Sequence, residues 1–282
     1  MKFSKETSEV WVPDGIDAEK ALARTTHLGI SAHQDDLEIM AMEGILAGFG
    51  QSDKWFTACI VTNGAGSARD DVYASYTDAE MMAIRRIEQK KAAFTGEYSA
   101  AVFLDLPSSE IKDPNNTTPI EDIKALLLAS QPEVVYVHNL ADKHPTHIGT
   151  AMRTIAAIRS LPKEKRPKAV FGCEVWRDLD WMIDADKHVM RCDKHENIQA
   201  AVISVHDSQI VGGKRYDLAT MGRRRAHATY HESHAVDASH LINFAMDLTP
   251  LIEDDTKDIV EYVMAHIERF RADVDANLGK FV

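Results

Sequence analysis

Short runs of apolar and β-branched residues alternate along the chain with longer stretches in which apolar positions recur every three or four residues. The runs at 26–33, 56–63, 101–106, 134–139 and 169–176 have the length and composition of buried strands, and the stretches at 37–49, 78–95, 119–130 and 145–159 carry the helical period. Strands that alternate with helices of crossover length predict an α/β fold with a mostly parallel sheet covered on both faces. In such sheets ligands bind outside the carboxyl ends of the strands. That puts His33 and Asn63, both at strand ends, on the functional edge.

From about Asn197 the pattern becomes largely helical, with "GGKRYD" as a loop and a final amphipathic helix near 257–278. No Pro/Gly/Ser linker, repeat or low-complexity tract separates this part from the front. The expectation is a single domain, 1–282, with a core at about 24–180 and a C-terminal helical elaboration at about 195–282. The broken pattern before Ala23, with Trp11 and Pro13, reads as an arm that packs on the same chain or on a neighbour. The sequence leaves a homo-oligomer open.

Composition narrows the function. With 45% hydrophobic and 27% charged residues, 282 residues suffice for a full core. A formal net charge of -12 argues against nucleic acid, which requires clustered Lys and Arg. The one dense basic cluster, Arg223 to Arg225, lies in a helical pattern and reads as a solvated or substrate-facing patch. The opening "MKFSKETSEVWVPDG" has no apolar secretory core, and no later run approaches the length of a membrane span, so a cytoplasmic protein with no membrane partner is expected. Cys59, Cys173 and Cys192 are widely spaced, form no C-x-x-C pair, and read as small buried residues.

The chemistry concentrates at two strand ends. His33 and Asp36, three residues apart at a strand-to-helix turn, can both face one metal ion. A third ligand is sought in "DKHPTHIGTAM", where His144 and His147 sit one turn apart at a helix start and Pro145 suits the first helical position. Two imidazoles and one carboxylate leave a coordination position open, as in catalytic zinc sites. Asp35 then remains as a base that can take a proton from water and return it to a leaving amine.

At these residues the sequence resembles a known family. "AHQDDLE" is similar to the A-H-P-D-D-x-E signature, and "HPTH" to the H-P-D-H signature, of the PIG-L/LmbE family of zinc-dependent N-acetylglucosaminyl deacetylases. "VTNGAGSAR" resembles the family's T-[DN]-G-x-G-x-x-R loop and "IRRIEQKKAA" its R-R-x-E-x-x-x-A helix; "VISVHDSQI" is a loose echo of a later H-x-S-Q segment. The resemblance covers roughly 26–158. It implies a Rossmann-like fold, zinc held by His33, Asp36 and His147, Asp35 as general base, and His144 as stabiliser of the tetrahedral oxyanion. It also places Arg69 and Asn63 at the substrate.

Two positions depart from the family pattern. Gln34 replaces a proline, which is expected to loosen the turn without removing a ligand. Thr146 replaces the aspartate of H-P-D-H, so another acid, Asp142 or one from a remote loop, is expected to hold His144 protonated against the unfavourable helix N-terminus.

Other residues carry open readings. Glu38 either supports the active-site loop or serves the helix dipole, and Glu43 reads as structural or surface. His227, His231 and His234 fall at i, i+4 and i+7, which raises the question of a second metal on one helical face. Trp176 and Trp181 are candidates for stacking on a sugar or for core packing.

The leading functional expectation is hydrolysis of an N-acetyl group from an amino-sugar derivative with Zn2+, although Fe2+, Co2+ or Mn2+ also suit the ligands. The alternatives are a deacylase of a non-sugar amide, a non-heme iron enzyme and a non-catalytic sugar-binding protein.

Overall fold

The computed structural model describes residues 1–282. Its strands are β1 (Glu9–Trp11), β2 (His27–Ser31), β3 (Phe56–Thr62), β4 (Ala100–Leu106), β5 (Val134–His138), β6 (Ala169–Cys173), β7 (Lys187–Arg191) and β8 (Ile242–Asp247). They form one sheet in the order β1-β4-β3-β2-β5-β6-β8-β7. The five strands from β2 to β6 are parallel to their neighbours among themselves, while β1 and β8 run antiparallel to β4 and β6. This is the open, mostly parallel, Rossmann-like sheet that the alternation of elements predicts.

Connectivity fixes where a ligand belongs. From β2 the chain moves outward through β3 to β4, then returns to lay β5 on the other side of β2. The strand order reverses between β2 and β5, and the crevice outside their carboxyl ends is the usual ligand position of such a sheet. The two histidine-bearing motifs follow these two strands.

Alternate strand residues supply the two layers of core. Leu28, Ile30, Val102 and Leu104 pack on one face, while Phe56, Ala58, Ile60, Ala101 and Phe103 pack on the other. Gly29 lies between Leu28 and Ile30, and a Cβ there would come within 2.7 Å of both Leu37 and Phe56. Its missing side chain lets the helix after β2 sit directly on the sheet.

The helical stretch at 37–49 is two helices, Asp36–Met40 and Met42–Gly48, interrupted at Ala41. The cause lies in the distant C-terminal third. Arg224 donates to the carbonyls of Glu38 at 2.7 Å and Ile39 at 3.2 Å, and Asn243 Nδ2 donates to Ile39 at 2.9 Å, so these side chains satisfy the end of the first helix. Arg224 is fully buried without a carboxylate partner, and it also donates to the Gln199 and Asn243 oxygens and to the Met221 sulfur. A helix C-terminus favours such a cation. The basic cluster is therefore not one solvated patch, since Arg224 is internal and Arg225 is exposed and paired with Glu196.

The C-terminal part is mostly helical, with Glu196–Ser204, Tyr216–Tyr230 and Ile259–Leu278 as its longer helices. It also supplies β8, which is inserted between β6 and β7. The N-terminal arm packs on its own chain, where β1 pairs with β4 through Glu9 opposite Phe103. The three cysteines are buried and free. No helix is long and apolar enough to cross a membrane.

Candidate metal centre and active-site cavity

The turn after β2 is held in an unusual conformation. Asp35 has φ 89°, a left-handed value that an L-residue with a side chain adopts only when its surroundings enforce it. Three contacts enforce it here. Gln89 accepts the Asp35 amide at 3.2 Å, Arg85 donates to the Gln34 carbonyl at 2.9 Å, and the Gln34 side chain reaches toward the Thr62 carbonyl at 3.4 Å. Gly64, at φ +77°, leaves the space into which Gln34 Oε1 projects, since a Cβ there would approach it to 2.5 Å. Gln34 is thus buried and anchored, which corrects the expectation that replacing proline loosens the turn.

That turn aims His33, Asp35 and Asp36 at the crevice. His33 Nδ1 lies 3.2 Å from His147 Nε2 and 3.3 Å from Asp36 Oδ2, and His147 Nε2 lies 3.5 Å from Asp36 Oδ1. These three residues form a group whose ligand atoms all lie within 4.8 Å of one another. Ligands about 2.0–2.1 Å from a tetrahedral ion stand about 3.3 Å apart, so the spacing fits a zinc-sized cation. Asp36 is nearly fully buried, and its three imidazole neighbours, His147, His138 and His33, hold its carboxyl well below the usual range in spite of burial.

His147 is supported from behind. Asp142 Oδ2 lies 3.6 Å from His147 Nδ1, which leaves Nε2 facing the cluster. His138, at the end of β5, stacks on the His147 ring at 3.8 Å and accepts the Ala32 amide on Nε2 at 2.8 Å. Burial drives His138 well below its ordinary pKa, so it is a neutral ring that locks the end of β2 to β5. The motifs did not single out His138, although its place at a strand end on the functional edge was readable.

His144 is half-buried, and its ring lies nearly parallel to Trp176, with centroids 6.5 Å apart. Asp142 does not pair with the His144 ring as expected. Its Oδ1 accepts the His144 backbone amide at 2.9 Å, and its Oδ2 accepts the Trp176 amide at 3.1 Å. Burial, with His147 and His33 adding to it, pushes His144 down to about 4. The ring is therefore neutral near pH 7, and Thr146 beside it is buried and lines the cavity.

Asp35 is 8% exposed, and burial raises its carboxyl to about 7 against the opposing pull of Arg85, which stands 3.7 Å away. Glu38, fully buried, accepts the Tyr98 hydroxyl at 2.7 Å and Gln89 Nε2 at 2.8 Å and lies 3.2 Å from His206 Nε2. It therefore supports the loop rather than serving only the helix dipole. Glu88 continues the same scaffold by accepting the Ser208 amide and hydroxyl at 2.7 and 2.6 Å. Removing a partner from such a buried ionic network is costly. Glu38→Ala is expected to lower stability by about 3–5 kcal/mol, read as a drop in the urea midpoint at unchanged slope.

The cluster lies at the floor of a cavity of about 580 Å3 in which only six of 25 lining residues are hydrophobic. Asn63 lines it, and so do Arg85, Ser108, Lys112 and Trp176. Arg69 does not, because its guanidinium is engaged by Asp78 and the Ala65 carbonyl. Trp181 packs against the core instead. Of the histidine stripe, His227 and His231 share a face and both pack on Phe244, but the helix ends at Tyr230 and His234 does not join them. His227 is buried 3.0 Å from Glu174, while His234 is exposed beyond the helix. Glu43 is half-buried beside the Tyr136 hydroxyl.

Comparison with known proteins bears on the segment that carries the site and on the fold. Residues 28–158 match the model of the PIG-L family, described as GlcNAc-PI de-N-acetylase. Among solved structures, N,N'-diacetylchitobiose deacetylase from Pyrococcus horikoshii is similar with a TM-score of 0.62 and 16% identity, over 84% of this chain and 88% of that one. The 4-carboxy-2-hydroxymuconate hydratase from Pseudomonas putida has a TM-score of 0.63 and 15% identity, over 83% and 99%. The A40926 pseudoaglycone deacetylase has a TM-score of 0.54 and 16% identity, over 79% and 97%. At these identities the likeness is one of fold. No curated protein sequence matches the chain.

Proposed function

We propose that the protein is a metal-dependent N-deacetylase that hydrolyses the N-acetyl group of an amino-sugar derivative to acetate and a free amine. The observation that carries this reading is the convergence of His33, Asp36 and His147 beside Asp35 and His144, at the floor of a polar cavity in a chain whose residues 28–158 match the PIG-L family. The three converging side chains would hold zinc, which would supply Lewis acidity toward the amide carbonyl and the attacking water. Asp35 takes a proton from that water and delivers it to the departing nitrogen. Its raised pKa suits both halves of that task. His144, kept neutral by burial, donates an N–H to the carbonyl oxygen as negative charge develops there. Asn63 and the polar wall take the sugar hydroxyls, and Arg69 acts on that wall by holding Asp78.

Asp142 orients His147, so Asp142→Asn is expected to weaken zinc binding about 10–100-fold in a chelator competition while leaving the fold intact.

A second reading comes from the hydratase among the fold relatives, since a base and a metal can also add water across a carbon–carbon double bond. Two assays on the zinc-loaded protein separate them. Fluorogenic detection of new primary amine from N-acetylated sugars supports deacetylation, whereas bleaching of a conjugated enoic acid with no amine formed would replace it with hydration.

A further inference from the structure

The helix Ile259–Leu278 is anchored only at its base. Ile259, Tyr262 and Val263 pack against the core, and His266 and Arg269 hold Asp186. From Ile267 onward every residue is exposed. The body therefore lends no packing to the last turns of the helix, and propensity alone sustains such a length only marginally in water.

The free part is not polar all round. Val260, Ile267, Val274 and Phe281 stand seven residues apart, and so do Met264, Arg271 and Leu278, which interleave with them in steps of three and four. This is the spacing of a helix that pairs with another helix along a seam. Phe270 widens the stripe, while the opposite face carries Glu261, Glu268, Ala272 and Ala276. Arg271 is the one charged member of the seam, and it donates to Glu268 at 2.8 Å and to Asp275 at 2.9 Å on its own helix. Its charge is thus neutralised beside the seam, and its alkyl stem is free to lie along it.

Spacing, area and charge together name the occupant. A seam with a seven-residue repeat calls for a second helix with the same repeat, and a second copy of this chain brings one. The six apolar seam residues and Phe270 are 37–87% exposed, which leaves on the order of 600 Å2 per copy; a pair then buries on the order of 1,200 Å2, the lower bound for a specific interface. An anionic lipid surface is the poorer match, because Arg269, Arg271 and Lys280 are outnumbered by Glu261, Glu268, Asp273 and Asp275.

We infer that this stripe is the interface of a homodimer, in which the C-terminal helices of two copies pair through the same seam. The helix lies outside the 28–158 segment, and the pairing is independent of the reaction.

Sedimentation equilibrium of the full chain over about 1–100 μM, the range in which an interface of this size forms, is expected to give a mass approaching twice 31.4 kDa. Val274→Glu with Leu278→Glu buries two unpaired charges in the seam and is expected to weaken association about a hundredfold or more, leaving a monomer. Ala272→Glu with Ala276→Glu adds the same charge to the opposite face and is expected to dimerise like the wild type. Amide hydrogen exchange at 267–278 is expected to slow with rising concentration in the wild type and not in the seam variant. A wild type that stays monomeric at the top of the range overturns the inference. So does a dimer that survives the seam substitutions, or one lost equally in both variants. Binding of a monomeric wild type to phosphatidylcholine vesicles, lost in the seam variant, would give the stripe to lipid instead.

Discussion

The Asp35→Asn variant is expected to bind zinc and substrate like the wild type and to turn over about 10²–10⁴ times more slowly. Asparagine keeps the size of the side chain and the strained backbone at φ 89°, because Gln89 accepts the Asp35 amide and Arg85 donates to the Gln34 carbonyl, and only the 3.7 Å ion pair of Arg85 with the carboxylate is lost. What it removes is the ability to take a proton. The loss therefore falls on kcat with KM and metal content unchanged, measured by steady-state kinetics and metal analysis.

The same substitution carries a stability signature of opposite sign. Burial raises the folded-state pKa of Asp35 to about 7, above its value in the unfolded chain. The folded protein therefore binds this proton more tightly, and the contribution of Asp35 to stability is greatest below about pH 4 and is lost as pH rises toward 7. In the metal-free protein Asp35→Asn removes that loss, and the variant is expected to melt higher than the wild type at pH 8. A buried carboxylate kept at a cost in stability is what a catalytic base requires and a structural residue does not. A variant that is inactive and also less stable at pH 8 would instead point to a structural role.

The second large effect is removal of the ion. Chelation is expected to abolish turnover, and added zinc to restore it in the wild type but not in His33→Ala or His147→Ala, each of which removes a vertex of the three-ligand cluster. Zinc should also stabilise the fold, because it binds the folded state alone. At a thousandfold excess over Kd the gain is about 4 kcal/mol, a rise of roughly 10 °C in Tm for a chain of this size. The two histidine variants should lose most of that shift, which can be read without any substrate.

Much of this was legible in the sequence, for a physical reason. Buried parallel strands are continuous apolar runs and crossover helices carry a 3.6-residue period, so the central strands and the placement of "AHQDDLE" and "HPTH" at their ends followed from pattern. The outlying strands did not. β1 has three residues, too few to show a period, and β8, which lies between β6 and β7, has its short apolar run interrupted by Asn243 and ended by Asp247. Helix 37–49 looked continuous because its interruption is caused by Arg224 and Asn243, some two hundred residues away.

The site divides in the same way. Donor atoms that a local turn brings together, as in His33 and Asp36, can be read from spacing. Partners chosen by tertiary packing cannot. Asp142 looked like the acid for His144 because it is two residues away, yet its carboxylate faces the backbone amides and His147. The His227 stripe assumed a helix that stops at Tyr230. His138 was readable only by its place at a strand end, because its partners, the Ala32 amide and the His147 ring, are brought to it by packing.

The most direct measurement is the paired quantification of acetate and primary amine released from N-acetylglucosamine derivatives by the protein at zero, one and two zinc equivalents, with Asp35→Asn alongside. The account predicts acetate and amine in equal amounts, turnover that appears with the first equivalent of zinc, and a loss of at least a hundredfold in Asp35→Asn. Zinc-independent release, or a variant as active as the wild type, would contradict it.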